Sequence, residues 1–195
     1  MVSLQILPED GLLFLSLNSC VYETEEKHYG YVSEKQLRNF EDLVEMSDTD
    51  NRLVRIAVVH HHLHPFPEPV KLETSGEHWQ DKSTIRDSAL VEKYLEKHKF
   101  DLVLHGHKHK PQLRETLVRD PSFSLATRPL IVFGGGSCGV ESRELEHHVP
   151  NHYEVLELVS VPRVPGADFL RAEWRTLDVT PGADWATSHT WTLAG

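Results

Sequence analysis

The chain has 195 residues, 39% of them hydrophobic and 26% charged, which excludes a disordered or membrane-embedded chain and suits one soluble domain burying roughly 70% of its unfolded surface. Thirty acidic residues against 20 basic ones give a formal net charge of −10, which excludes dense, non-specific nucleic-acid binding. Two cysteines, Cys20 and Cys138, lie outside any CxxC pair, so a disulfide framework is excluded and a reducing, cytoplasmic setting is expected.

Glu9 and Asp10 precede the first apolar run, which is far shorter than the ~20 residues of a membrane span, so the run is a strand and not a targeting signal. That strand is predicted over Leu12 to Cys20, bounded by Gly11 and a polar stretch. Ser33 opens a helix, because Ser33-x-x-Gln36 has the form of a capping box and Leu37, Phe40, Leu43 and Val44 follow at intervals of three and four. A second buried strand, rich in β-branched residues, is predicted over Leu53 to Val59 and stops at His60-His61-His62-Leu63-His64. The loop from Leu63 to Ser83, with Pro65, Pro67 and Pro69, is expected to border a cleft.

A helix from about Asp87 to Lys97 follows, with Leu90, Val91, Tyr94 and Leu95 on one face. The strand Asp101 to Leu104 then stops at His105-Gly106-His107-Lys108-His109. Beyond residue 110 the pattern changes to strands at Leu130 to Phe133, Tyr153 to Val159, Phe169 to Leu177 and His189 to Leu193, an antiparallel finish to a sheet. With no repeat and no low-complexity linker, residues 1–195 read as one α/β domain with functional groups collected at strand ends. Gly134-Gly135-Gly136-Ser137 lacks the Lys and helix of a P-loop and reads as a tight turn. Trp174, Trp185 and Trp191 read as packing residues, as do the two cysteines.

Imidazole is the commonest neutral metal ligand, and a histidine where a buried strand gives way to a loop can aim its ring into a cleft from a fixed backbone. In extended geometry the rings of His107 and His109 alternate, which suits two neighbouring ions better than one. In the first cluster His60 is favoured, with His61 as the fallback; His64 and His105 read as loop and core or rim histidines.

The succession Val58-Val59-His60-His61-His62, a loop and helix, then Leu102-Val103-Leu104-His105-Gly106-His107-Lys108-His109 resembles the latter half of the calcineurin-like metallophosphoesterases. The Leu17-Asn18-Ser19 strand end, Gly30 before the capped helix carrying Gln36, and Gly135-Gly136-Ser137 match as well, so the likeness spans roughly residues 10–160. It implies the C-terminal half of a metallophosphoesterase sandwich, a mixed sheet with flanking helices and an antiparallel C-terminal portion. It implies that His60 and His107 share one metal ion, that His109 binds a second, and that His61 meets substrate. Two ions, of manganese, iron or zinc, would hold a phosphoester for attack by metal-held hydroxide rather than by a side chain.

The family's earlier motifs are missing. No Asp is followed two positions later by His, and no Gly-Asp or Gly-Asn dipeptide occurs. The resemblance therefore implies a phosphodiesterase or phosphatase active only when a separate N-terminal half-domain or an oligomer partner completes it. The alternative is a catalytically inactive remnant that serves as a binding or scaffold module.

Overall fold

The computed structural model describes residues 2–24, 29–47, 53–66, 83–117, 119–120, 124–125, 129–140, 145, 149–159, 168–178 and 182–194. Four parallel strands form its centre: β2 (Leu12–Leu17), β3 (Val54–Val59), β4 (Leu102–His105) and β8 (Leu130–Gly134). Each is an apolar run of four to six residues flanked by polar or glycine-containing segments, the pattern of strands covered on both faces.

Antiparallel strands finish both edges. On one side lies β1 (Val2–Leu7), joined to β2 by a turn through Gly11 at φ 67°, and on the other β5 (Gln112–Thr116), so the order is β1-β2-β3-β4-β8-β5. Neither edge strand was expected from the sequence. A two-stranded piece, β6 (Arg119–Asp120) with β7 (Ser124–Leu125), follows β5.

Helices α1 (Glu34–Met46) and α2 (Ser88–Lys97) cover one face of the sheet. The expected cap of α1 forms, with the Ser33 hydroxyl accepting the Gln36 N–H at 3.3 Å. Asp87 precedes α2 without capping it, because its carboxylate accepts the N–H groups of Val32 and Ser33 at 3.0 and 2.9 Å. It therefore ties the start of one helix to the entry of the other. Leu37, Phe40 and Val44 of α1 and Val91 and Leu95 of α2 pack on Leu13, Leu15, Ala57, Val59 and Val103 of the sheet. Each such fully buried side chain contributes roughly 1.5–3 kcal/mol.

The opposite face is covered by a second, antiparallel sheet of order β11-β10-β9, made of β9 (Asn151–Leu158), β10 (Asp168–Leu177) and β11 (Trp185–Ala194). Its inner residues Leu156, Leu158, Leu170, Ala172, Trp191 and Leu193 pack on Phe14, Ile56, Leu102, Ile131 and Phe133. Helix layer, mixed sheet and antiparallel sheet give the α/β class expected of the chain, but the tail strands form a sheet of their own rather than an antiparallel finish to the first, and the Leu130 strand pairs parallel with β4. Among the described residues no helix is long and apolar enough to cross a membrane.

Candidate metal centre

The parallel strands end in register. Leu17 lies opposite Val59, Val59 opposite His105, and His105 opposite Gly134, so the loops after β2, β3, β4 and β8 share one edge of the sheet. The loop after β2 brings Ser19, Cys20 and Glu23, the loop after β3 brings His60 and His61, and the loop after β4 brings His107. The ligand atoms of Glu23, His60, His61 and His107 all lie within 4.8 Å of one another.

His61 is fully buried, and its ring is held by Ser19. The Ser19 hydroxyl oxygen accepts the His61 backbone N–H at 3.2 Å and stands 2.8 Å from Nδ1. When Nδ1–H donates to that oxygen, the other ring nitrogen is the basic one, the tautomer a metal ion requires. Gly30 makes room for this residue: a Cβ there would meet the His61 Cβ at 2.7 Å and the Ile85 side chain at 2.9 Å.

His60 and His107 face each other across the seam between β3 and β4. The Gly106 N–H donates to the His60 carbonyl at 3.0 Å, and His107 Nδ1 lies 2.9 Å from His60 Nε2, so the two rings share a proton. Their centroids are 4.8 Å apart, and the His61 ring is 4.5 Å from that of His107. His107 sits at φ 76°, in the left-handed region that costs a non-glycine residue of order 1–3 kcal/mol and collects at functional sites.

Burial, with the neighbouring charges of His61 and His60, pushes the His107 imidazole down to about 4 against a weaker opposing pull from Glu23. At neutral pH its ring is uncharged. Burial acts to raise the Glu23 carboxyl, but its hydrogen bond with Cys20 and the charges of His61, His107 and His60 outweigh that and hold it below its ordinary value. Burial raises the Cys20 thiol. The cluster therefore offers three imidazoles, that of His107 uncharged at neutral pH, and one carboxylate.

These residues fit a metal ion. Two nitrogens on a tetrahedral ion, each at ~2.0–2.1 Å, stand roughly 3.3 Å apart. The 2.9 Å between His60 and His107 requires only a small separation of the rings to exchange the shared proton for a cation. Glu23 offsets half the charge of a divalent ion, and nitrogen with oxygen donors accommodate zinc, iron and manganese alike.

No family model matches the chain, and no curated protein matches it. Among solved structures it is similar to GAP50, described as the anchor in the inner membrane complex of Plasmodium, at 13% identity and a TM-score of 0.50, covering 100% of this chain and 53% of that one. The chain thus spans about half the length of that relative. Vps29 of Entamoeba histolytica, solved with Zn²⁺, is 11% identical at a TM-score of 0.35, covering 92% of this chain and 98% of that one. Vps29 of Cryptosporidium parvum is 12% identical at 0.31, covering 93% and 98%. At such identities the likeness is one of fold.

Of the residues singled out in the sequence, His60, His61 and His107 come together, while His109 stands outside their group. The expected extended run through His107 and His109 does not form, since both are left-handed, at φ 76° and 54°. His105 turns to the helix face, beside His62 and Phe66, and burial pushes it down to about 4 against the opposing hydrogen bond of the Gly106 carbonyl. His64 meets Glu92 at 2.8 Å. The glycine-rich turn is stitched to protein acceptors, Gly135 N–H to the His105 carbonyl at 2.7 Å and Gly136 N–H to Glu154 at 3.3 Å. Residues 67–82 of the expected cleft loop lie outside the described residues.

Glu23 was not expected. Nothing in its spacing marks it, and the one available signal was positional: an acidic residue shortly after a strand whose parallel neighbour ends in histidines.

Proposed function

We propose that the chain carries the histidine-rich part of a metal-dependent phosphoester hydrolase of the metallophosphoesterase type, with His60, His61, His107 and Glu23 holding a metal ion. The observation that carries this reading is the convergence of three imidazoles and a carboxylate from three different strand ends, ligand atoms within 4.8 Å of one another. When bound, the ion supplies Lewis acidity toward a phosphoryl oxygen and lowers the pKa of water.

The chain's own residues prepare that chemistry. Ser19 fixes the His61 tautomer, Glu23 supplies negative charge, and the depressed His107 stays a ligand without first losing a proton. A second ion beside His109 would require further carboxylates, since Glu23 alone does not offset two divalent cations. We assign those ligands to a completing segment or partner, with residues 1–195 forming one partial domain in which His61 also borders the substrate. Free Cys20 and Cys138 suit a reducing, cytoplasmic setting for it.

Equilibrium dialysis against Zn²⁺ or Mn²⁺, paired with hydrolysis of bis(p-nitrophenyl) phosphate, tests the reading. One ion per chain is expected from the chain alone, with turnover once a completing segment is present, and both are lost in His107→Ala. No bound metal at micromolar ion would end it. Metal bound stoichiometrically without turnover, even with a completing segment present, would favour the inactive binding module, a reading that the missing Asp-x-His and Gly-Asn-His motifs also support.

A further inference from the structure

The face of the mixed sheet that meets the antiparallel sheet is closed rung by rung. Phe14, Ile56, Leu102 and Ile131 are neighbours across β2, β3, β4 and β8, and all four belong to the core under the antiparallel sheet. The next rung on that face is Ser16, Val58, Leu104 and Phe133. Phe133 is 2% exposed, yet Val58, in a central strand, is 37% exposed, Ser16 is exposed and Leu104 half-buried.

Among the described residues the cover therefore stops one rung short over β2, β3 and β4. A cavity of about 460 Å³ opens there, lined by Ser16, Val58, Leu104, His60 and Gly106. Its volume falls in the roughly 300–1,000 Å³ range of small-molecule sites.

Two properties define what it takes. His60 is both a wall of the cavity and a member of the metal-ligand group, so the space adjoins the metal centre directly. Among the described residues no Lys, Arg, Asp or Glu lines it. A charged group in this open space gains no carboxylate, ammonium or guanidinium partner among the described residues, whereas an apolar group covers Val58 and Leu104 favourably.

Resting on the metal reading above, we propose that the Ser16–Val58–Leu104 rung is the floor of an ester-group subsite. It takes the uncharged, apolar group of a phosphoester, aromatic or alkyl, whose phosphoryl group meets the metal at His60 and His107. Esters whose organic part carries further phosphates are disfavoured.

The test compares phenylphosphonate with methylphosphonate by isothermal titration calorimetry on the Zn²⁺-loaded full chain. Phenylphosphonate should bind roughly tenfold tighter, the effect of covering one ring's apolar surface. Val58→Asp should bring the ratio close to unity with metal stoichiometry unchanged, and the near-isosteric Val58→Thr, which keeps the strand preference, should reduce it partially. Equal affinities in the unaltered chain, or a ratio unmoved by both variants, would overturn the proposal.

Failure of the metal reading shows itself separately, as absent Zn²⁺. The cavity is then tested alone by benzyl alcohol, whose binding should shift the Val58 and Leu104 methyl resonances of the metal-free chain; unshifted methyls would sink it. A dimer that Val58→Asp converts to monomer would show that a second copy covers the rung, which also overturns the subsite.

Discussion

Strands β3 and β4 run side by side, and their two ends use polar residues in opposite ways. At the amino ends the Asp101 carboxylate accepts the Arg55 N–H at 2.8 Å, the Asp101 N–H donates to the Arg55 carbonyl at 2.9 Å, and the Arg55 guanidinium donates to the His98 carbonyl. Arg55 and Asp101 are both buried, and their contacts lock α2 and its following turn to the sheet. At the carboxyl ends the side chains turn toward one another instead: imidazole faces imidazole, and backbone strain is retained at His107. Polar groups that close a structure are tied to backbone. Those available for chemistry point into a shared space, on an edge where parallel strands deliver several loops together.

The largest expected effect breaks the closed end. Asp101→Ala leaves the buried Arg55 N–H without its carboxylate, so it should lower stability by roughly 4 kcal/mol, the loss of a charged hydrogen bond together with an orphaned donor. Urea unfolding measures this. Zn²⁺ stoichiometry of the folded fraction should be unaltered; loss of metal affinity in proportion to stability would show that the two ends are one unit.

Acid should act next, through the carboxyl end. His105 is 6% exposed and titrates at about 4 in the folded chain, below its ordinary 6.5. Between those values the unfolded chain binds a proton that the folded chain refuses. No penalty therefore exists above about pH 6.5; it grows as pH falls and levels off below about pH 4, reaching on the order of 3 kcal/mol. Urea midpoints of metal-free protein across that window should decline steadily, and His105→Asn should flatten the slope. His107, depressed to a similar value, adds in the same direction.

The contrast between the two ends was only half legible in the sequence. Apart from Arg55, strands β3 and β4 are apolar runs that end at histidines, and α1 carries its cap in Ser33 and Gln36, so the scaffold and His60 with His107 were readable. β5 was not, because Gln112 to Thr116 lacks apolar alternation and is a strand only through pairing with β8. β1 does alternate at Val2, Leu4 and Ile6, but over six residues that signal is short. Glu23 enters the site through the register of β2 with β3, a long-range fact that local spacing does not encode. The departure of His109 follows from two left-handed residues, which the motif's spacing does not announce.

His107→Ala should leave the closed end intact and lower metal affinity by more than ~100-fold, beyond what loss of an orienting partner alone produces. Because His107 is partly exposed, the urea midpoint should hardly move. A large stability loss with unchanged metal affinity would invert the contrast and make His107 a structural residue.

The smallest expected effect is also the most discriminating. Ser19 supports His61 from the loop after β2, its oxygen taking the backbone N–H and meeting Nδ1. Removing the hydroxyl leaves all four candidate ligand side chains present, so Ser19→Ala separates ligand identity from ligand orientation. A drop in Zn²⁺ affinity of roughly tenfold is expected if the hydroxyl fixes the productive tautomer, and Ser19→Thr, which keeps the oxygen, should restore most of it. If alanine and threonine behave alike, the His61 ring is oriented by packing against Gly30 rather than by Ser19. The carboxyl end would then resemble the amino end more closely than its geometry suggests.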